Sequence, residues 1–580
     1  MVAFVGSSSQ HLRSPNSFDE VHHFGLFRRS TPRQLLRRFG IVFKDTLEAL
    51  LAAGGVDARI PTKDQVNVAG ESLFRTSAET DVVDLFIGHS WNAGRWPKFL
   101  ALCMYFNLGM AIKYACGTWL LMVVVLVARS GITGLGGSCL LLPCLVYLPM
   151  IVLLLVFLLG HQIVGETPSL WVDKLCIHQT DPDLKAEQIA ALAVFVARSQ
   201  RMLILWDDTY FERLWCNLEL ATHARFCGAE KVEVLPLWLA PWLLASILLD
   251  ILGVTLFFQL EPVFPKWSEA VTRYAAAMLG ETRGGSYFVA CFAVWLMSSI
   301  VYLPISIPCF FSFRMKLRSH QLMLNQMAAF DVKNAKCSLP ADREPITQHV
   351  RELFRDRDGR EEDAKGTGDV DAGEVCLQNY AVNYFPDPLQ RFNVYVRGKL
   401  RDSVIAQIGD ELFVPWRTCL IAFLPMILYS SANVLGCDNA PCEISFRLQG
   451  FRSASECMIT NAAAWVLCIT LAFPLTYPIL LRMLKLIFSF GDGVPQHVAA
   501  FLCCPLAFMY NYICGGLIWA SLIPLVLQYS VNKLLFFLLV LVVLSVQLAW
   551  LFSGHIRQRN EMSCRCTKRY EAVSGNSHAT

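Results

Sequence analysis

Residues 534–554 read LLFFLLVLVVLSVQLAWLFSG, a run without one charged side chain. The hydrocarbon core of a bilayer is about 30 Å thick, so a helix needs about 20 mostly apolar residues to cross it. This run is therefore long enough to span a membrane. Further runs pass the same test without interruption, at 139–160, 284–313, 418–437, 458–481 and 494–531.

Two weaker candidates complete a predicted set of eight spans. Residues 235–258 contain Asp250, an intramembrane polar residue whose carboxyl must be neutral, paired or near an interface. Residues 110–128 are interrupted by Lys113 and followed by Arg129. Because a lysine near a helix end can extend its ammonium group to the membrane surface, we expect one long helix that starts in water and enters the bilayer.

The composition also indicates a membrane protein. Hydrophobic residues make up 54% of the chain and charged residues 17%, with a mean hydropathy of +0.43. Ordinary soluble domains carry about 25% charged residues. The net charge of +3 is too small to indicate nucleic-acid binding. We therefore expect a multi-pass α-helical membrane protein whose main partner is the lipid bilayer.

Clusters of basic residues follow the fourth, sixth and eighth predicted spans. They stand at 314–318 after the fourth span, at 482–485 after the sixth and at 557–569 after the eighth. Because Lys and Arg concentrate in cytoplasmic loops, this pattern favours an even number of spans with both termini in the cytosol. Residues 1–40 lack the apolar run of a signal peptide, so the first span is expected to direct insertion. The charge pattern does not identify the membrane in which the protein resides.

Three polar stretches around the first two spans carry strand and helix patterns. Strands that alternate with helices of 10–15 residues predict a parallel α/β sheet. The crossover between the first two strands would contain two membrane spans, and this is allowed only because their number is even. The predicted strands lie in DVVDLFIGHSW (81–91), SLWVDKLCIHQT (169–180), RMLILW (201–206) and KVEVL (231–235), with helices at 183–198 and 213–227.

Residues 391–408, in the segment 314–416, form a basic amphipathic pattern. This pattern fits a helix on anionic lipid and a packed juxtamembrane helix equally well.

The sequence thus divides into soluble and membrane parts. The predicted parts are an N-terminal cytosolic arm (1–80), the two halves of the α/β domain (81–107 and 161–235), a transmembrane hairpin (108–160), spans 3–4 (236–313), a cytosolic segment with an acidic linker (314–416), spans 5–8 (417–554) and a basic cytosolic tail (555–580).

Several strings in the polar stretches resemble those of two related domain families. The FIGHSW turn, the WVD strand end and the WCNLEL helix (Trp215, Cys216, Glu219) resemble the TIR domain, and WVDKLCIHQ resembles a box of the HET domain of fungal incompatibility proteins. Similar combinations occur in membrane proteins of protists. The resemblance implies a flavodoxin-like sheet that acts in signalling or interaction, through self-association or other protein partners.

The resemblance also implies a candidate ligand, NAD, and a candidate catalytic residue. In TIR domains that cleave NAD, a glutamate precedes the Ala-Arg that leads into the next strand, and Glu187 stands at that offset from Ala197. Its expected role is to bind ribose hydroxyls and stabilise an oxocarbenium-like transition state. The alternative is an exposed glutamate that favours a helix N-terminus. Gly88 departs from the family, since many relatives have serine there.

The turn and strand ends supply candidate ligand-binding residues: Ser90, Trp91, Trp171 and Asp173. The tryptophans are also expected as core or membrane-interface residues. Three function hypotheses follow: a membrane-embedded signalling or interaction protein, a membrane-bound NAD hydrolase using Glu187, and a channel or transporter regulated by the soluble domain.

The sequence predicts no metal site and allows one disulfide. The acidic stretch between 356 and 374 does not follow the order of ligands of an EF-hand, so no metal site is predicted. No cofactor is expected apart from NAD as a candidate substrate. Cys442 and Cys457, with Cys437 nearby, lie in a predicted extracytosolic loop where one disulfide is allowed, although three cysteines leave its pairing undecided.

Overall fold

The computed structural model describes residues 18–44, 47–56, 61–135, 139–163, 167–260, 270, 303–355, 387–448 and 450–552. Most of the predicted span at 284–313, the acidic linker and the basic tail lie outside these residues. The strands are β1 (Arg28–Arg29), β2 (Ala78–Glu79), β3 (Val83–His89), β4 (Leu170–Trp171), β5 (Ser199–Trp206) and β6 (Val232–Pro236).

Helices make up most of the described chain. Before the fourth strand they are α1 (Phe18–His23), α2 (Pro32–Leu35), α3 (Arg37–Gly40), α4 (Leu47–Gly54), α5 (Lys63–Phe74), α6 (Arg95–Ser130) and α7 (Pro143–Gln162, including its irregular end turns). Up to the described end of the third span they are α8 (Asp173–Cys176), α9 (Pro182–Ala190), α10 (Leu192–Ala197), α11 (Leu214–Cys227) and α12 (Leu239–Leu260). The remaining helices are α13 (Ser306–Ala328), α14 (Pro340–Leu353), α15 (Pro388–Tyr395), α16 (Arg401–Ile408), α17 (Trp416–Ala422), α18 (Leu424–Ser431), α19 (Ala440–Leu448), α20 (Ala454–Leu467), α21 (Thr476–Phe488), α22 (Val494–Leu527) and α23 (Val531–Phe552).

Four strands form one parallel sheet in the order β4-β3-β5-β6. Strand β3 pairs with β4 on one side, at Phe86 and Trp171, and with β5 on the other, at Phe86 and Met202. Nearly every side chain of β3 is buried, as expected for a parallel sheet covered on both faces. The predicted parallel sheet, built from segments on both sides of the membrane hairpin, is thus confirmed.

The hairpin that interrupts the sheet consists of α6 and α7. Helix α6 has 36 residues, so it is about 54 Å long at 1.5 Å per residue and can both pack on the sheet and cross a bilayer. Its first turns bury Phe99 and Leu102, whereas Leu120 and Val124 are exposed further along. Helix α7 packs along it closely at Gly160, where an added Cβ would lie 2.5 Å from the Met110 side chain.

Six described helices are long and apolar enough to cross a membrane, and they identify the chain as an integral, multi-pass membrane protein. They are Arg95–Ser130, Pro143–Gln162, Leu239–Leu260, Ala454–Phe488 (α20, α21 and the irregular helical turns that join them), Val494–Leu527 and Val531–Phe552. The run at 418–437 does not form one continuous helix, because the chain is divided there into α17 and α18. The count of eight spans therefore stays a prediction.

The break between α17 and α18 explains the buried aspartate in α12. Asp250 is 3% exposed, and its Oδ2 atom accepts the backbone N–H of Met426 at 2.8 Å. Met426 lies in the first turn of α18, where amide groups have no partner within their own helix. Asp250 is thus paired, and it caps a helix to which it does not belong.

The segment after α13 packs on the sheet domain. The amide of Leu214 donates to the carbonyl of Lys336 at 3.0 Å, which joins the segment to the start of α11. At the β6 edge, Gln407 in α16 donates to the Val232 carbonyl at 2.6 Å and accepts from the Val234 amide at 3.3 Å. Residues 391–408 therefore form a packed helical segment rather than a helix lying free on lipid.

Candidate functional site

A cavity of about 100 Å³ opens at the carboxyl ends of β3 and β4, beside the start of α11, and we call it the sheet-edge cavity. Since one water needs roughly 10–15 Å³, it can hold a ring-sized group. Three tryptophans form its aromatic walls: Trp91, Trp171 and Trp215. Its polar lining residues are His89, Asp173, Gln179, Lys185, Arg213, Cys216, Glu219 and Asp342.

Asp173 is held in its ionised form by several hydrogen-bond donors. Its Oδ1 atom lies 3.0 Å from His89 Nε2 and 2.7 Å from the Lys174 amide, and its Oδ2 atom accepts the indole N–H of Trp91 at 2.6 Å. Burial alone would raise the pKa of Asp173, but these donors and the charge of Lys174 outweigh it and hold the pKa below its usual range. A negative charge is thus fixed at the cavity wall.

His89 links this carboxylate to the buried ammonium group of Lys98. Burial lowers the pKa of His89 and the charge of Lys98 lowers it further; the Asp173 carboxylate opposes them, but the net shift is downward and favours a neutral imidazole. The Nε2 atom lies 3.0 Å from Asp173 Oδ1, and the Nδ1 atom lies 3.4 Å from both Lys98 Nζ and the Ser90 carbonyl oxygen. We place the proton on Nε2, so that the ring donates to Asp173 and Nδ1 accepts from Lys98. Lys98, His89 and Asp173 form one chain that fixes the orientation of the carboxylate.

Glu219 is a second carboxyl group in the same cavity, with the opposite protonation state. Burial raises its pKa well above the usual value, the charge of Asp173 raises it further, and Arg213 only partly opposes them. Its Oε2 atom is buried and has no hydrogen-bond partner within the described ranges. Of the carboxyl groups that line the cavity, Asp173 therefore favours the ionised form and Glu219 the neutral form.

Two more buried polar atoms of the cavity lining lack a partner among the residues described. They are Nη1 of Arg213 and Nε1 of Trp171. Trp171 is only 1% exposed and stacks on Phe86 with ring centroids 4.5 Å apart. Because an unpaired buried polar group costs about 1–3 kcal/mol, each of these atoms would be stabilised by a partner from a ligand or an ordered water. All three belong to residues that line the sheet-edge cavity.

The structure brings most of the predicted site residues together. Trp91, Trp171, Asp173, Trp215, Cys216 and Glu219 all line the sheet-edge cavity. Ser90 lies beside it, where its hydroxyl is 2.7 Å from that of Thr209. Glu187 does not line the cavity: its side chain is exposed on α9, while Lys185 and Ile189 of the same helix face inward. The catalytic hypothesis for Glu187 stays a prediction.

Gly88, the departure from the TIR pattern, has a packing reason. An added Cβ would lie 2.8 Å from Met202 Cε, 3.0 Å from Tyr210 Oη and 3.3 Å from Glu219 Oε2. A serine at this position would press on Met202 and Tyr210 first and on Glu219 next. The glycine thus allows these three side chains to pack against β3.

Sequence reasoning missed several members of the site. His89 stands inside the FIGHSW string, and its polar side chain at the end of a buried strand was an available signal. Arg213 stands directly before α11, and no sequence pattern identifies it as a cavity residue. Asp342 reaches the cavity from α14, a segment beyond the fourth predicted span, and no local pattern connects it with the sheet.

The remaining predicted sites lie elsewhere. Asp250 is in the helix bundle, as described above. Cys437, Cys442 and Cys457 are all present as free thiols, and Cys457 accepts a hydrogen bond from Asn461 Nδ2 at 3.5 Å. The disulfide stays a prediction. The residues described here contain no group of three His, Cys, Asp or Glu that could hold a metal ion.

Comparisons of the chain with protein-family models, with curated proteins and with solved structures found no match.

Proposed function

We propose that this chain is an integral membrane signalling protein whose α/β domain lies in the cytosol and binds a ligand of the NAD class in the sheet-edge cavity. The observation that supports this proposal best is that Arg213, Glu219 and Trp171 line one cavity walled by tryptophans. Each of them has a buried polar atom without a hydrogen-bond partner among the described residues. A planar ring between tryptophans with polar groups at its edge matches this lining.

The strand order supports the same proposal. Numbered along the chain, the sheet has the order 2-1-3-4, which is that of the first four strands of a flavodoxin-like sheet. In such sheets ligands bind outside the carboxyl ends of the strands, where the order reverses between the first and third strands. The sheet-edge cavity lies at the carboxyl ends of the first two of these strands, next to the helix that follows the third, and residues of the TIR-like strings line it.

Basic residues support a cytosolic position for the domain. Lys316 donates to the carbonyl oxygens of Glu411 and Phe413 at 2.6 and 3.0 Å, and Lys485 forms an ion pair with Glu411. Arg482 donates to the carbonyl of Leu551 at 3.3 Å. The ends of three predicted even-numbered spans therefore lie together, close to the domain, and the positive-inside rule assigns that end to the cytosol.

Calorimetric titration of the full-length protein in detergent with NAD and with ADP-ribose tests this function. Binding is expected, and Glu219→Leu should weaken it about 10- to 100-fold because the ligand loses a buried polar partner. Glu187→Ala is the matched control and should leave the affinity unchanged, since that side chain is exposed. Absence of binding to the unmodified protein, or equal affinity of Glu219→Leu, would overturn the proposal.

Cleavage of the ligand is a second candidate function, favoured by the ionised carboxylate of Asp173 at the cavity wall. The nicotinamide group of NAD is a cationic pyridinium, so it leaves without a proton. The reaction needs a carboxylate that stabilises the oxocarbenium-like transition state or acts as base for the attacking water, and Asp173 is the candidate for this role. Purified protein should then consume NAD, and Asp173→Asn should abolish the reaction. Loss of the reaction in Glu187→Ala, with retention in Asp173→Asn, would assign it to Glu187 instead.

A further inference from the structure

Two arginines and a histidine surround one carboxylate where α13 meets the loop before α22. Arg314 Nη2 lies 3.1 Å from Asp492 Oδ1, and Arg318 Nη2 lies 2.5 Å from Asp492 Oδ2. His497 Nε2 is 3.5 Å from the same carboxylate. We call these four residues the arginine cluster. It belongs to the end of the bundle where the other basic residues meet.

The arginine cluster has more donors than its carboxylate can use. Two guanidinium groups face one negative charge, so the cluster keeps a net positive charge. The Nε atom of Arg314 is buried and lacks a partner within the described parts of the chain. Helix α22 starts beside the cluster, and no side chain caps it. Its first amide groups and its dipole add to the attraction for an anion.

An apolar groove continues from the arginine cluster along α22. Val494, His497, Val498 and Phe501 line it together with Asp492, and its volume is about 440 Å³. Val494 is 78% exposed and Val498 56%. On the neighbouring helix α13, Phe311 is 61% exposed. Such a surface is unfavourable in water and favourable against lipid chains.

We propose that this groove binds one anionic phospholipid, with its phosphate at Arg314 and Arg318 and an acyl chain along Val494, Val498 and Phe501. The charge of the arginine cluster selects an anionic headgroup over a zwitterionic one. The apolar wall favours a lipid over a free phosphate ion, because only a lipid covers both parts of the site. A lipid held here contacts both α13, which leads to the sheet domain, and α22.

Native mass spectrometry of the full-length protein in detergent tests the site with dioctanoyl phosphatidylserine as probe. One molecule should bind at least about 10-fold more tightly than dioctanoyl phosphatidylcholine, which fits an interaction of about 1 kcal/mol for each basic residue. The double variant Arg314→Gln/Arg318→Gln should bind the probe about 25-fold more weakly. Arg447→Gln, which removes an exposed arginine paired with Glu443 in α19, is the matched control and should bind normally.

A substitution in the apolar groove distinguishes a bound lipid from an anion that binds only to the arginines. Val498→Trp fills the groove without touching the arginines and should also weaken phosphatidylserine binding, whereas Val498→Ala should not. If the double arginine variant fails to fold, this pair still decides the matter. Unchanged binding in Val498→Trp, unchanged binding in a folded double variant, or inorganic phosphate binding as tightly as the lipid would each overturn the proposal.

Discussion

Glu219 and Asp173 show how neighbouring carboxyl groups acquire different states from their surroundings. Asp173 accepts from an indole, an imidazole and a backbone amide, and these donors stabilise its charge. Glu219 is buried near that charge and lacks a partner for Oε2 among the residues described, so it stays neutral. Because folding raises the pKa of Glu219, this residue makes the fold less stable at neutral pH than at acid pH, and such a cost is typical of a binding site.

Replacement of Glu219 by glutamine should change stability in a pH-dependent way. Folding raises the pKa of Glu219 above its ordinary value of 4.5, so its contribution to the free energy of unfolding is fully present below that pH. The contribution is lost as the pH rises through the folded-state pKa. Glu219→Gln should therefore gain stability relative to the unmodified protein as the pH rises from 4 to 8.

Thermal unfolding of the full-length protein in detergent at both pH values measures this difference. Glu187→Gln serves as the control, because it removes a carboxyl group from an exposed position on α9. A difference between Glu219→Gln and the unmodified protein that is the same at pH 4 and pH 8 would contradict the assignment of a neutral Glu219.

The elements of the bundle show where the sequence was informative and where it was not. The spans at 139–160 and 534–554 were predictable because their apolar runs alone satisfy the length of a bilayer. The run at 418–437 has the same composition, but one helix ends there at Ala422 and the next begins at Leu424, with Pro425 in its first turn. A proline alone does not predict this break, because α22 continues through Pro505. The break provides the free amide to which Asp250 binds.

Substitution of Asp250 tests this interpretation of the break. Asp250→Asn keeps a side-chain oxygen for the Met426 amide and should unfold at nearly the same temperature. Asp250→Leu leaves that amide unpaired in an apolar surrounding and should lose about 1–3 kcal/mol. Thermal unfolding in detergent compares the two.

Equal stability of both Asp250 variants would show that the hydrogen bond is unimportant. The same pair also separates a structural role from transport. If the chain moves ions in liposomes and Asp250→Asn alone stops the flux, the acid itself is needed, as a channel or transporter would require.

At the scale of the whole molecule, the sheet and the membrane bundle depend on each other. Strand β3 and strand β4 are adjacent in the sheet although α6 and α7 lie between them in the chain. The strands were predictable from their apolar patterns and flanking turns. Two contacts were not predictable from the sequence: the hydrogen bond of Gln407 to the edge strand β6, and the position of Asp342 in the lining of the sheet-edge cavity. Both depend on contacts between segments that are distant in the chain.

We infer that the strands on either side of the membrane hairpin, which pair in one sheet, lie on one face of the bilayer. Asp84 Oδ2 accepts from the Ser169 amide at 2.8 Å and from its hydroxyl at 2.7 Å, which brings the two side chains into contact. Disulfide cross-linking of Asp84→Cys with Ser169→Cys, read by mass spectrometry of linked peptides, tests it most directly. We expect efficient linkage of 84 to 169 and none of 84 to Thr133→Cys, at the far end of the hairpin. Absence of the 84–169 link under oxidising conditions, in a protein that is folded and inserted in membranes, would contradict the account.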